Sequence, residues 1–308
     1  MNRLSNYLKL MRPHQWVKNG FVFVPLIFSK NLFDLTLFSE VVLTFISFCL
    51  AASAVYVVND IADRDSDRMH PLKRERPIAA GRVGTREGWV LSLVLLAASV
   101  AFLFFEGTRL MVGLMIAGYI FINLFYSFRL KRVVLIDLFV IAVGFILRIL
   151  AGGYAIDVKV SSWLVMTTLF ISIFLGVAKR RSEFVLVSGS GEDFTREVLA
   201  DYDLGLIDQI LSVSAASVII AYALYTVSER TVRAFHTEAL IFTTVFVTYG
   251  IFRYLYLVHK MGLGENPTKA LLTDKPTVIN TLLYLASVIA IIYKQELNQI
   301  LSRHVPLP

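Results

Sequence analysis

Asn59, Asp60, Asp63 and Asp67 close an apolar run, and a basic stretch, Lys73, Arg74 and Arg76, follows a few residues later. Asp60, Asp63 and Asp67 stand at i, i+3 and i+7, so a helix through them presents all three carboxylates on one face. Hard oxygen donors that leave room for water and for substrate phosphates are the usual way to hold Mg²⁺. The neighbouring cations would repel a bare metal ion but attract a phosphorylated substrate. The chemistry expected here is the gripping of a Mg²⁺-diphosphate, with Asp60, Asp63 and Asp67 as its acids and Asn59 sharing the metal. A solvated helix end could account for one or two acids. It accounts less well for three on one face beside Asn59.

The elements that must carry this site are membrane spans. The 308 residues are 56% hydrophobic, in repeated apolar runs near twenty residues long, which predicts an all-α polytopic membrane protein and not a β-barrel. Nine spans are read at roughly 20–37, 38–58, 87–106, 110–128, 133–153, 162–178, 206–228, 236–258 and 277–294. Lys30 and Asp34 interrupt the first, so an interfacial or re-entrant course for it stays open. The segments 1–18, 59–86, 129–132, 179–205 and 259–276 hold 21 of the 30 Lys and Arg. By the positive-inside rule that side is cytoplasmic, with the N-terminus inside. The net charge of +7 is then an orientation signal, with some attraction to anionic lipid, and does not point to nucleic acid. No soluble domain is evident, so residues 1–308 read as one integral-membrane domain. Cys49 is the single cysteine, which excludes disulfides and cysteine-held metals. The first twenty residues show no cleavable signal peptide.

Several further residues could meet phosphate. The prolines Pro71 and Pro77 bracket Lys73, Arg74 and Arg76, although any cytoplasmic loop should be basic. Tyr126 and Lys131 flank the end of the fourth span. Asp137 lies about a turn inside the next one, where an acid is costly unless it faces a cavity or a partner. Arg148 is deeper still, and three readings stand beside one another: a bridge to an acid, snorkelling, or substrate binding. Lys179 and Arg180 close the sixth span. Lys179 and Glu183 at i, i+4 equally suit a plain ion pair. Lys18 and Asn19, beside the interfacial Trp16, could anchor the chain or reach into a cavity.

With these residues assembled, the chain resembles the UbiA superfamily of intramembrane prenyltransferases: Asn59–Asp60–x–x–Asp63–x–x–x–Asp67 matches its first acidic motif. The resemblance implies nine helices around a central cavity that opens to the cytoplasm, with Mg²⁺-diphosphate at that end. Members ordinarily carry a second pair of acids four residues apart, whereas here Asp137 is followed at that offset by Ile141. Arg12–Pro13–x–Gln15–Trp16–x–Lys18–Asn19, the block from His70 to Gly81, Phe145–x–x–Arg148, Lys179–Arg180–Arg181–x–Glu183 and Asp274–Lys275 are similar to the decaprenyl-phosphate phosphoribosyltransferase branch. That branch implies transfer of phosphoribose from phosphoribosyl diphosphate (PRPP) to a polyprenyl phosphate lipid in the bacterial cytoplasmic membrane. On this reading Lys18, Lys73, Arg74, Arg76, Tyr126, Lys131, Arg148, Lys179 and Arg180 are the candidate phosphate binders. Asp137 would hold ribose hydroxyls or orient a cation, and a homo-oligomer is compatible with the sequence.

Two rivals remain on sequence grounds. An aromatic prenyltransferase with a polyprenyl diphosphate donor should carry the second acid pair that is missing here. A transporter for an anionic solute should show broken helices near the midplane, whereas the polar motifs here gather on one side.

Overall fold

In the computed structural model, which describes residues 3–69, 73–105, 110–128, 133–190, 202–261 and 273–296, every regular element among those residues is helical. The chain opens with α1 (Arg3–Met11), a 3-10 helix over Pro13–Phe23 and the short α2 (Val24–Phe28). Asp34 then decides where the first long helix begins. Its backbone is extended, and its carboxylate accepts from Thr36 N at 2.9 Å and Leu37 N at 3.1 Å, satisfying two amides that the helix itself cannot. Helix α3 (Leu35–Ala62) therefore starts at Leu35 and runs for 28 residues. The first expected span, 20–37, is thus divided into 3-10 helix, α2 and a turn in which Lys30 has φ 62°. Proline and a helix cap override its hydropathy. Among the described residues eight helices remain that are long and apolar enough to cross a membrane, with the 3-10 helix and α2 as a short additional element.

The described residues form two compact units, Met1–Val160 with Ser190–Tyr202, and Ser161–Gly189 with Asp203–Pro308. In the first, α3 is central. It packs against α5 (Thr85–Phe105), α6 (Leu110–Phe128), α7 (Ile136–Ala155), α1 and the 3-10 helix. Ala51, Ala52, Ser53 and Ala54 are buried on it, and small side chains let helix backbones approach where no aqueous hydrophobic effect drives them together. Ser92 and Ser99 of α5 donate to the carbonyls of Ala54 (3.2 Å) and Ser47 (2.8 Å). The outer face of α5 exposes Trp89, Val90, Leu93 and Val94, which suits lipid. Where the 3-10 helix crosses α7, contact is closest at Gly152: a Cβ there would lie 2.0 Å from the Val22 carbonyl oxygen.

The second unit holds α8 (Ser162–Ser190), α9 (Leu204–Val227), the short α10 (Glu229–Phe235), α11 (Thr244–Lys260) and α12 (Lys275–Ile292). Helix α8 continues well beyond the expected end at 178, so Lys179, Arg180 and Arg181 lie on the helix and do not open a loop. Hydropathy marks where a helix leaves the membrane. Lys, Arg and Glu are good helix formers and carry it further. Ion pairs join the helices: Arg181 of α8 meets Asp208 of α9 at 2.6 Å, and His259 of α11 lies 3.5 Å from the same carboxylate. Asp274 caps α12 through Thr277 N at 3.1 Å and receives two bonds from Arg253 of α11, at 2.8 and 3.0 Å.

Gly152→Ala should cost about 2 kcal/mol or more through overpacking, read as a lower melting temperature in detergent. Gly118→Ala, whose added Cβ meets Leu147 only at 3.9 Å, should leave the melting temperature close to that of the parent. The Arg253 bonds, foremost among the causes, hold the Asp274 carboxyl well below the usual carboxylate range. A depressed carboxyl contributes stability that is complete above its unfolded pKa and declines as pH falls below it. Asp274→Asn should therefore lower the melting temperature equally at pH 8 and pH 6, with the gap narrowing only below about pH 4.

Candidate active site

Helix α3 carries Cys49, Ser53, Tyr56 and Asp60 at i, i+4, i+7 and i+11 in an otherwise apolar run, which aligns them as one polar stripe. The 3-10 helix lies along that stripe in the opposite direction. Asn19 Nδ2 donates to Cys49 Sγ at 3.2 Å, Trp16 Nε1 to Ser53 Oγ at 3.0 Å, and Ser53 Oγ to the Met11 carbonyl at 2.9 Å. Arg12 then sits over the Tyr56 ring, 5.3 Å from its centroid, and pairs with Asp60. The lengths match. Eleven residues of α-helix rise about 16 Å, and seven residues of 3-10 helix, from Arg12 to Asn19, rise about 14 Å. Arg12 has φ 51°, a left-handed conformation uncommon outside glycine and Asn, at the point where the chain turns from α1 onto the stripe.

Arg148 braces this strap from α7. Its side chain is 4% exposed in sum; Nε donates to Asn19 Oδ1 and Nη1 to the Gly144 carbonyl, both at 2.7 Å. Tyr119, Phe145 and Phe48 surround its guanidinium at 4.5, 5.4 and 5.7 Å from their ring centroids. Among the described residues no acid bridges it. Amide, carbonyl and three aromatic faces take the place of the carboxylate expected as one option. Cation–π contacts strengthen when they are desolvated.

At the end of the stripe the charges converge. Asp60 is 2% exposed and Asp67 is buried. Arg76 Nη1 lies 3.2 Å from Asp60 Oδ1 and 2.7 Å from Asp67 Oδ2, so one guanidinium links the two acids, while Arg12 meets the same Asp60 oxygen. Taking a carboxylate out of water costs several kcal/mol, offset only as far as a good partner allows, and two guanidinium groups face Asp60 here. Arg68 Nε bonds the Ala79 carbonyl at 3.1 Å, which ties α4 (Arg64–Met69) to the turn that carries Arg76. His14, beside this cluster, has its pKa lowered by burial first and by Arg12 and Lys18 next.

The helical path continues across the junction of α3 and α4: Asp63 N bonds Asn59 O and Asp67 N bonds Asp63 O, each at 2.8 Å. Asn59, Asp63 and Asp67 thus follow one another a turn apart. Ser127 of α6 donates to Asn59 Oδ1 and, at 2.8 Å, to the Asn123 carbonyl. This steadies the amide, and a carbonyl oxygen keeps a second lone pair. Among the described residues no three His, Cys, Asp or Glu side chains converge in a metal-holding arrangement. One amide oxygen and two carboxylates in succession are nonetheless hard donors that fit Mg²⁺ sharing its remaining positions with water and substrate phosphate.

The other expected residues are distributed as follows. Lys73 is half-buried and Arg74 exposed on a single 3-10 turn. Lys18 is half-buried on the strap, and Tyr126 is half-buried beside Ser127. Asp137 is buried in the first turn of α7. Arg148 lies eleven residues further on, about 16 Å along the helix, level with Asn19 and not with the acids. Lys179 and Arg180 belong to the second unit and share Glu183, Lys179 at 3.8 Å. Lys131 and the His70–Pro71 portion of the motif lie outside the described residues. Ser53, Tyr56 and Ser127 join the site without having been singled out, and Arg12, named within the N-terminal motif but not as a site residue, joins them. Ser53 and Tyr56 had a legible signal in the polar stripe of α3; Ser127 had none, since only the packing of α6 on α3 brings it to Asn59.

The chain matches the model of the UbiA prenyltransferase family over residues 22–180. It is 33% identical to the decaprenyl-phosphate phosphoribosyltransferase of Corynebacterium glutamicum, covering 95% of this chain and 88% of that one. With the enzyme of the same name from Mycolicibacterium smegmatis it shares 32% identity, over 95% and 94% of the two chains. Among solved structures, a UbiA homolog from Archaeoglobus fulgidus bound to GPP and Mg²⁺ superposes with a TM-score of 0.67 at 20% identity, over 93% of this chain and 99% of that one. That likeness speaks for the fold alone. The eight apolar helices among the described residues make this a multi-pass membrane protein, and the family match together with relatives a third identical along nearly its whole length place it in the UbiA prenyltransferase family.

Proposed function

We propose that this protein transfers 5-phosphoribose from phosphoribosyl diphosphate to a polyprenyl phosphate such as decaprenyl phosphate, releasing pyrophosphate. The observation that carries the reading is the identity of about a third, over 95% of the chain, with two enzymes named for that transfer. The site supports it: acids and guanidinium groups meet at the end of a membrane helix, where a soluble diphosphate could meet a membrane lipid. Asp137 followed by Ile141 lacks the second acid pair expected for a prenyl diphosphate donor. The bacterial cytoplasmic membrane, with the N-terminus inside, is the setting that fits the distribution of Lys and Arg.

In the reaction an oxygen of the polyprenyl phosphate forms a bond to C1 of the ribose. The bond from C1 to the diphosphate oxygen breaks, and its electron pair leaves with pyrophosphate. The acceptor is already anionic at neutral pH, so no general base is needed. Positive charge develops at C1 and negative charge on the departing diphosphate. Mg²⁺, when bound, supplies neutralisation of that leaving group. Asn59, Asp63 and Asp67 would hold it, while Arg12 and Arg76 direct N–H groups toward the same end of the site. Lys73 and Arg74 on their exposed turn suit the ribose 5-phosphate. Lys179 and Arg180 are candidates for the lipid phosphate.

Purified protein in detergent, given labelled phosphoribosyl diphosphate, a polyprenyl phosphate and Mg²⁺, should move label into the lipid fraction. EDTA should abolish transfer, and Asp63→Ala should reduce it by about 10² or more. Absence of label in the lipid, alongside transfer of a prenyl group from a prenyl diphosphate to an aromatic acceptor, would replace this reading with aromatic prenyl transfer.

A further inference from the structure

Asp60 takes two guanidinium groups, Arg12 and Arg76, where Asp67 takes only the second. Its carboxylate is 2% exposed, and both guanidinium groups meet a single oxygen, Oδ1. One arrives from the N-terminal strap and the other from the turn that follows α4. Neither arginine is buried to the same extent: Arg12 is 24% and Arg76 28% exposed. Each therefore keeps N–H groups on its outer side that Asp60 does not use. A guanidinium has five donors in a rigid plane, so fixing one edge on a carboxylate aims the others. Arg12 is constrained further by the face of Tyr56 one turn earlier on α3, and Arg76 by Asp67. A divalent cation sharing the Asp60 carboxylate would meet two positive charges at close range in a poorly solvated setting, where repulsion is weakly screened.

We infer that Asp60 is a positioning residue and not a metal ligand: it clamps Arg12 and Arg76 so that their free edges form a paired cationic seat for the diphosphate of the donor, and metal binding is left to Asn59, Asp63 and Asp67. The inference rests on the functional reading above for the identity of the donor, but its core, an arginine clamp on Asp60 beside a metal set that touches it only through Asp67, concerns any diphosphate. It also gives the N-terminal strap a task. Asn19, Trp16 and Met11 set the register along α3 that delivers Arg12 to Asp60, and Arg148 holds Asn19 from α7.

The test separates metal from anion. Full-length protein in detergent is titrated with Mn²⁺, followed by its paramagnetic resonance, with and without inorganic pyrophosphate. Asp63→Asn and Asp67→Asn should weaken Mn²⁺ binding by about tenfold or more, while Asp60→Asn should leave Mn²⁺ binding within about twofold and weaken pyrophosphate by about tenfold or more, the worth of charge-assisted bonds. In turnover, Asp60→Asn should raise the KM for phosphoribosyl diphosphate more than it lowers kcat, and Asp60→Glu should recover part of the loss. Should Asp60→Asn not fold, Arg12→Gln opens the clamp from the strap and should reproduce the pyrophosphate defect with Mn²⁺ affinity intact. The inference is overturned if Asp60→Asn loses Mn²⁺ to the same extent as Asp63→Asn, or if Arg12→Gln binds pyrophosphate like the parent. A parent protein that binds Mn²⁺ and pyrophosphate in this pattern yet never turns over phosphoribosyl diphosphate would sink the functional reading and leave the clamp standing.

Discussion

The polar stripe of α3 and the 3-10 helix that lies along it form the constraint on which the rest of the first unit depends. A helix surrounded by other apolar helices gains little from hydrophobic burial against them, because lipid tails are as apolar as leucine. Specific position has to come from close backbone contact and from a few polar bonds. Both are concentrated here. Gly152 admits the Val22 carbonyl at a distance no side chain would tolerate, and Asn19, Trp16 and Arg12 each find one partner on α3 or beside it. The match of about 16 Å of α-helix to about 14 Å of 3-10 helix makes the three contacts mutually compatible. A regular α-helix over the same residues would span a shorter distance and miss at one end.

Charge is handled differently at the two levels of that strap. At the end of α3, acids and guanidinium groups balance: Asp60 and Asp67 against Arg12 and Arg76. Deeper, Arg148 is charged with no carboxylate beside it among the described residues, and aromatic faces, an amide and a carbonyl share the load. The first arrangement leaves its arginines partly exposed. The second is enclosed and holds the strap. In the second unit the ion pairs Arg181 with Asp208 and Arg253 with Asp274 join helices that the apolar pattern alone would leave free to slide.

Much of the architecture was legible without coordinates because its causes are local. Long apolar runs, the acidic motif after α3 and the Lys179–Glu183 pair follow from hydropathy and helical spacing. The departures also have physical causes. The first expected span, read as interrupted by Lys30 and Asp34 with an interfacial course left open, is divided because Asp34 caps α3 and Pro25 and the turn at Lys30 break the stretch before it. Helix α8 overran its expected end because leaving the membrane does not stop a helix made of good helix formers.

Which residues have chemistry to offer was determined by the sequence: three acids one helical face wide, a basic turn beside them, and an arginine deep in an apolar helix. Their types and spacing are properties of the chain. What each does was decided by tertiary structure, because partners arrive from far along it. Arg12 reaches Asp60 across 48 residues, Ser127 reaches Asn59 across 68 and Arg148 reaches Asn19 across 129. Helical periodicity fixes which side chains share a face, but it carries no information about which distant segment will lie against that face. Only packing brings two arginines onto Asp60.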